Sequence, residues 1–353
     1  MTKKIGCGNI FIGGDSPITI QSMVTKNTRD IDASVDQIKA LIDAGCEIVR
    51  LAVPDNEAAV CFGKIKDKVR VFSMIPIVAD IHFDYRLALA SIANGADKIR
   101  INPGNIGSRE QLGQVVNAAK RANIPIRVGV NSGSLQKDLL SKYGGPTYEA
   151  LVESALINIR MIEEMDYNQI VVSVKSSDVK RSFEAYRLLS QQVEYPLHIG
   201  ITEAGTIENG KIKSAAGIGG LLLLGIGDTI RVSLTGDPLR EVDFAKKLLV
   251  DIGIRKGIQV ISCPTCGRTK VDLEKIALKV EEALLNSDLS KEAITVAVMG
   301  CAVNGPGEAK EADFGVACGE GKGILFSQGE IVRTVQENDI VRELIKLIDT
   351  SKG

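Results

Sequence analysis

From Ile18 to Leu234 the chain alternates short β-branched runs with stretches of helical period. The apolar runs are Ile18 to Val24, Ile48 to Val53, Ile75 to Asp80, Lys98 to Asn102, Pro125 to Val130, Ile170 to Lys175, Pro196 to Thr202 and Thr229 to Leu234. Between them lie segments such as Ile31 to Ala44, with Val35, Ile38, Leu41 and Ile42 on one face, and Tyr148 to Met165. Strand-helix alternation predicts a parallel sheet, and eight such units predict a closed (β/α)8 barrel of the TIM type with its helices outside. An open doubly wound sheet would carry a Gly-rich loop after its first strand. Met23-Val24-Thr25-Lys26-Asn27-Thr28 offers none.

Past Pro238 the pattern changes. It predicts a helix over Leu239 to Ile252, a strand over Gly257 to Ser262 and a helix over Asp272 to Leu285. Further strands follow at Ile294 to Met299, near Asp313 to Ala317 and at Gly323 to Phe326, with a last helix from about Asp339 to Ile348. This reads as a small α+β domain. The expected division is a barrel over residues 1–240, a linker over about 241–254 with a hinge at Gly253 to Gly257, and the second domain over 255–353.

Composition narrows the partners. Lys and Arg number 43 against 44 Asp and Glu, a net charge of -1, which argues against a broad nucleic-acid or anionic-membrane surface. No apolar run approaches the roughly 18 residues of a spanning helix, and Met1 to Cys7 has no apolar signal core. A cytoplasmic location is expected. Seven cysteines, an odd number, suit a reducing compartment better than a disulfide framework.

Cys263-Pro264-Thr265-Cys266 and Cys301 mark a metal or cluster site. Two thiolates separated by two residues turn to one side of a tight loop, and the third closes the site from a distant segment. Structural zinc takes four ligands, and the two histidines, His82 and His198, lie far upstream. Zinc would therefore need Cys318 or an oxygen. A cubane iron-sulfur cluster held by three thiolates keeps one iron for a weaker ligand or for substrate.

In barrels of this type the active site forms at the C-terminal strand ends. Four predicted strands carry an arginine between branched apolar residues, Arg50, Arg100, Arg127 and Arg231, and a fifth ends in Lys175. One reading pairs each arginine with a structural carboxylate such as Asp80 or Glu203, since a buried guanidinium is costly alone. Five cations at one mouth instead suggest a compact ligand with more than one phosphate, helped by the neutral donors Asn102, Asn131 and Ser233. The acid-base candidates on the rim are Asp80, His82, His198, Thr202 and Glu203.

These segments resemble the 4-hydroxy-3-methylbut-2-enyl diphosphate synthase family. The resemblance rests on Val49 to Pro54, Ala79-Asp80-Ile81-His82-Phe83-Asp84-Tyr85-Arg86, Ile99-Arg100-Ile101-Asn102-Pro103-Gly104-Asn105 and Arg127 to Ser134. It extends through Thr202-Glu203-Ala204-Gly205, Cys263 to Arg268 and Asn304-Gly305-Pro306-Gly307-Glu308. It implies a 4Fe-4S cluster on Cys263, Cys266, Cys301 and the carboxylate of Glu308, making the second domain an iron-sulfur domain. It implies phosphate binding by Arg50, Arg100, Arg127, Lys175 and Ser233 with Asn131 and Arg231 nearby, and a proton-donating Glu203. The implied reaction is reductive opening of 2-C-methyl-D-erythritol 2,4-cyclodiphosphate with loss of water, using two single electrons from flavodoxin or ferredoxin. The implied assembly is a head-to-tail homodimer. The competing readings are a phosphate-binding barrel with structural zinc, and an electron carrier whose barrel is only a scaffold.

Overall fold

The computed structural model describes residues 1–287, 289, 292–301, 307 and 309–351. The chain divides into two compact units, Met1–Leu248 and Leu249–Gly353.

The first unit opens with a hairpin, β1 (Ile5–Cys7) against β2 (Ile10–Ile12), absent from the sequence-based expectation. Eight parallel strands follow: β3 (Thr19–Met23), β4 (Ile48–Ala52), β5 (Ile77–Asp80), β6 (Lys98–Ile101), β7 (Ile126–Asn131), β8 (Ile170–Lys175), β9 (His198–Ile199) and β10 (Thr229–Ile230). Their order around the sheet is β8-β7-β6-β5-β4-β3-β10-β9. The helices between them start on side-chain caps, Asp30, Asp55, Asp84, Ser108, Thr147 and Asp178, whose oxygens accept orphan backbone N–H groups.

The ring closes between β8 and β9 on few bonds. Val172 N donates to Pro196 O at 2.8 Å and Thr202 N to Ser176 O at 3.3 Å. Tyr186, fully buried, spans the seam: its hydroxyl donates to His198 O at 2.7 Å and accepts from Val174 N at 3.2 Å. β9 at this seam and its neighbour β10 are shorter than the sequence pattern implies, each with two residues in the ladder. Gly200 lies where the chain leaves the ladder, and a Cβ there would meet Arg231 O at 2.4 Å and Lys175 Nζ at 2.7 Å. At the N-terminal end of the strands, Ile5, Cys7 and Ile12 of the hairpin pack on Ile48, Val78 and Val171, filling that end with apolar side chains.

In the second unit β11 (Ile258–Ser262), β12 (Ile294–Met299) and β13 (Phe314–Gly319) run parallel. The strands β14 (Lys322–Ser327) and β15 (Glu330–Gln336) then continue the sheet antiparallel. The helices Leu273–Leu285 and Ile340–Thr350 bury Leu273, Val280, Leu284, Ile340, Leu344 and Ile348 with the Val296, Val316 and Leu325 side chains. The edge strand β15 was not foreseen, because it is almost wholly exposed and lacks a buried apolar face.

Candidate active site

The period-two alternation of a strand places Lys98 and Arg100, Arg127 and Gly129, Ser173 and Lys175, and Thr229 and Arg231 on the same strand faces in pairs. In the barrel these faces turn inward. Arg100 and Arg127 are paired in register, as are Asp80 with Arg100 and Asn131 with Lys175. Gly129 makes room for this crowding, since a Cβ there would lie 2.5 Å from Arg100 Nε.

Asp80 is 3.8 Å from Arg50 Nε and 3.4 Å from Arg100 Nη1. Burial alone would raise its pKa, but Arg50, Arg100 and Arg127 outweigh that and hold it at about 2. It is therefore a fixed anion at neutral pH and suits orienting the arginines, not donating a proton. Arg50 also directs Nε and Nη2 to the Met23 thioether at 3.2 and 2.8 Å. His82 is exposed beyond β5 with Nε2 3.4 Å from Arg100 Nη1.

Several other buried donors have no hydrogen bond among the described residues. Arg127 is 2% exposed, and its Nε and Nη1 have no hydrogen-bond partner among the described residues. Arg100 Nε, Arg231 Nε, Lys98 Nζ and both ring nitrogens of His198 are likewise buried without a hydrogen bond among the described residues, although Arg231 Nε has the Glu241 carboxylate at 3.7 Å. Burial, reinforced by Arg127, Arg231, Arg50 and Arg100, drives the Lys175 ammonium well below its ordinary pKa. Lys98 falls to about 8 through burial and the nearby Arg127 and Arg50. Burial first, then Lys175 and Arg127, push His198 well below the usual imidazole value, so it stands neutral. A lumen of desolvated donors facing one another is costly alone and complementary to a polyanion.

The other expected residues sit around this group. Asn131 ends β7, and Ser233 follows β10, both half-buried. Asn102 is partly committed: its Oδ1 accepts from Gly104 N at 3.2 Å, capping a short turn. Glu203 is exposed beyond β9 with φ of 51°, a left-handed conformation that is uncommon for a residue with a side chain and concentrates at functional sites.

Sequence reasoning missed three members of the site. Lys98 and Thr229 precede Arg100 and Arg231 by one strand period, so the signal for them was present. The third, Glu241, had none. It lies in the helix Leu239–Asp251, 5% exposed, 3.7 Å from Arg231 Nε.

In the second unit, Cys263 follows β11 and Cys301 follows Gly300 at the end of β12, neighbouring parallel strands in which Ser262 pairs with Val298. Gly300 N donates to Cys263 Sγ at 3.2 Å. Cys266 is exposed, and hydrogen bonds from Arg268, backbone then side chain, with one from Thr269, lower its thiol pKa. Cys318 is buried, and burial pushes it up to about 12, so it stays a thiol. Glu308 lies outside the described residues. Among those described, no three His, Cys, Asp or Glu side chains converge tightly enough to hold a metal ion. The sulfurs of Cys263, Cys266 and Cys301 still fit an iron-sulfur group in donor type, strand-end placement and N–H to sulfur bonding.

Comparison with known proteins places both units. Residues 2–246 match the description "GcpE TIM-barrel domain" and residues 259–350 "GcpE protein C-terminal domain". A protein of Clostridium perfringens named 4-hydroxy-3-methylbut-2-en-1-yl diphosphate synthase (flavodoxin) is 57% identical, covering 99% of this chain and 98% of its own. One of the same name from Caldicellulosiruptor saccharolyticus is 58% identical, covering 99% and 98%. Among solved structures, a dihydropteroate synthase of Stenotrophomonas maltophilia superposes with a TM-score of 0.52 at 15% identity, over 72% of this chain and 100% of that one, a likeness of fold alone. Identity above one half across both units, cationic barrel and cysteine-bearing domain alike, means that the chain belongs to the GcpE family of 4-hydroxy-3-methylbut-2-en-1-yl diphosphate synthases.

Proposed function

We propose that this chain reductively converts 2-C-methyl-D-erythritol 2,4-cyclodiphosphate to 4-hydroxy-3-methylbut-2-enyl diphosphate, with reduced flavodoxin as electron donor. The observation that carries this reading is the set of buried cationic donors without a hydrogen bond among the described residues, Arg100 Nε, Arg127 Nε and Nη1, Arg231 Nε and Lys98 Nζ, inside the barrel of a chain belonging to this family. In the reaction one carbon-oxygen bond of the cyclic diphosphate opens, two electrons enter, and one hydroxyl leaves as water.

The chain's own groups divide the work. Guanidinium forks of Arg50, Arg100 and Arg127 bind the diphosphate oxygens bidentately, and Lys175, Arg231, Asn131 and Ser233 complete the cradle. Asp80 holds Arg50 and Arg100 in position while itself remaining ionised. His198, neutral and buried, offers a ring N–H without adding charge, and His82 lies at the rim beside Arg100. Fixing the leaving diphosphate in a dry, positive lumen favours charge as it develops there. Glu203 holds the proton that departs with the hydroxyl oxygen.

Cys263, Cys266, Cys301 and Glu308 are the residues that would hold a 4Fe-4S cluster. Bound there, such a cluster supplies electrons singly together with a Lewis-acidic iron. The division of labour is then a barrel over residues 1–240 for the diphosphate and residues 255–353 for the cluster. In a head-to-tail homodimer the cluster domain of one copy serves the barrel of the other. Mixing Cys266→Ala chains with Arg127→Ala chains should then restore activity in confirmed heterodimers, and failure to do so would remove the shared site.

The deciding experiment is anaerobic purification, iron and acid-labile sulfide analysis, and turnover of the cyclodiphosphate with reduced flavodoxin. About four irons and four sulfides per chain with flavodoxin-dependent product support the reading. Zinc without sulfide, or product formed without reductant, would overturn it.

A further inference from the structure

Glu241 belongs to the first turn of the helix Leu239–Asp251, yet its carboxylate is drawn back into the barrel. Its Oε1 accepts from Leu234 N at 3.0 Å, its Oε2 accepts from the hydroxyl of Ser22 on β3 at 3.3 Å, and Oε2 is 3.7 Å from Arg231 Nε. One carboxylate therefore joins β3, the segment after β10 that carries Ser233, and the outgoing helix. The side chains of Glu241 and Arg231 are 6% and 18% exposed, so water screens the pair little.

We infer that Glu241 is a positioning residue for anion binding, acting through Arg231 by fixing its guanidinium and the adjoining Ser233 segment toward the diphosphate. The inference rests on the anion-binding reading above. The physical grounds are the shortage of negative charge in the lumen. Asp80 compensates Arg50 and Arg100, at 3.8 and 3.4 Å, whereas among the described residues Glu241 is the carboxylate within 4.0 Å of Arg231. Without it, repulsion from Arg50 would turn the Arg231 side chain outward. The placement of the acceptor also matters, because Leu234 N and Ser22 Oγ lock the carboxylate into one orientation and leave Arg231 free to present its far edge.

The test is a double-mutant cycle read by calorimetric titration of the anaerobic full chain with inorganic pyrophosphate. Glu241→Gln keeps an acceptor oxygen for Leu234 N, lets its amide N–H donate to Ser22 Oγ in place of accepting from it, and removes the charge. We expect it to weaken pyrophosphate binding at least tenfold in the wild-type background and less than twofold in an Arg231→Met background. Glu241→Asp, which restores the charge, should recover part of the loss. With the cyclodiphosphate as substrate the same change should raise KM more than it lowers kcat. Equal losses in both backgrounds, or no loss in the wild-type background, would overturn the role of Glu241 while leaving the anion site standing. No pyrophosphate binding by the wild-type chain would overturn the anion-site reading, and this inference with it.

Discussion

Replacing Arg127 by methionine should stabilise the unliganded barrel while destroying its ligand response. Arg127 is 2% exposed, and two of its nitrogens, Nε and Nη1, have no hydrogen bond among the described residues. Burial, with Arg50 and Arg100 close by, pushes its pKa well down, because a desolvated charge beside two like charges is disfavoured. Each unsatisfied buried N–H costs about 1–3 kcal/mol. Methionine has a similar reach and no polar atom, so after some loss of packing the net gain should be about 3 kcal/mol. A domain of this size shifts its midpoint by about 2–4 °C per kcal/mol, giving a rise of roughly 6–12 °C. The assay is thermal unfolding followed by tyrosine fluorescence. The chain has no tryptophan, and its six tyrosines all precede residue 249, so the signal reports the first unit alone. Pyrophosphate at about 100 times its Kd should stabilise the wild type by about 2.7 kcal/mol and the variant hardly at all. A variant less stable than wild type by more than about 1 kcal/mol without ligand, or one equally stabilised by pyrophosphate, would refute the reasoning.

Further outcomes follow from the same geometry. Glu203→Gly should be as stable as wild type or up to about 1 kcal/mol more so, because φ of 51° suits glycine, while turnover falls at least about 100-fold. Glu203→Gln should lose the same turnover without the gain, and retained turnover in either variant would exclude the carboxylate as proton donor. Asp80 has its folded pKa lowered to about 2 from 3.8, so its contribution is present above pH 4 and is lost as pH falls toward 2. Acid titration of unfolding midpoints should show that loss, about 2 kcal/mol, in the wild type and not in Asp80→Asn; identical acid profiles would count against it. Tyr186→Phe leaves Val174 N and His198 O unsatisfied at the β8-β9 seam and should cost about 1–3 kcal/mol. Hydrogen exchange at Val174 should accelerate with it, and unchanged exchange would show that the seam holds without the hydroxyl.

The sequence by itself determined the strand-helix alternation, the cations of the barrel and the three thiols, because each is written in local spacing. A side chain two residues from an inward-facing arginine also faces inward, so Lys98 and Thr229 were within reach of that rule. The tertiary structure alone decided how the ring closes and which cations stay uncompensated. Tyr186 reaches across the seam to His198, Glu241 bonds to Ser22 from 219 positions away, and the hairpin of Ile5 and Ile12 settles on Ile48, Val78 and Val171. Periodicity records which face of an element is apolar, and it carries no term for which distant element that face will meet. Compensation of a buried charge depends on distances of a few ångströms between such elements. The same arginine pattern fits a set of structural ion pairs or an anion cradle, and only the fold shows which charges are met: Asp80 compensates Arg50 and Arg100, while the buried guanidinium of Arg127 keeps two nitrogens without a hydrogen bond among the described residues.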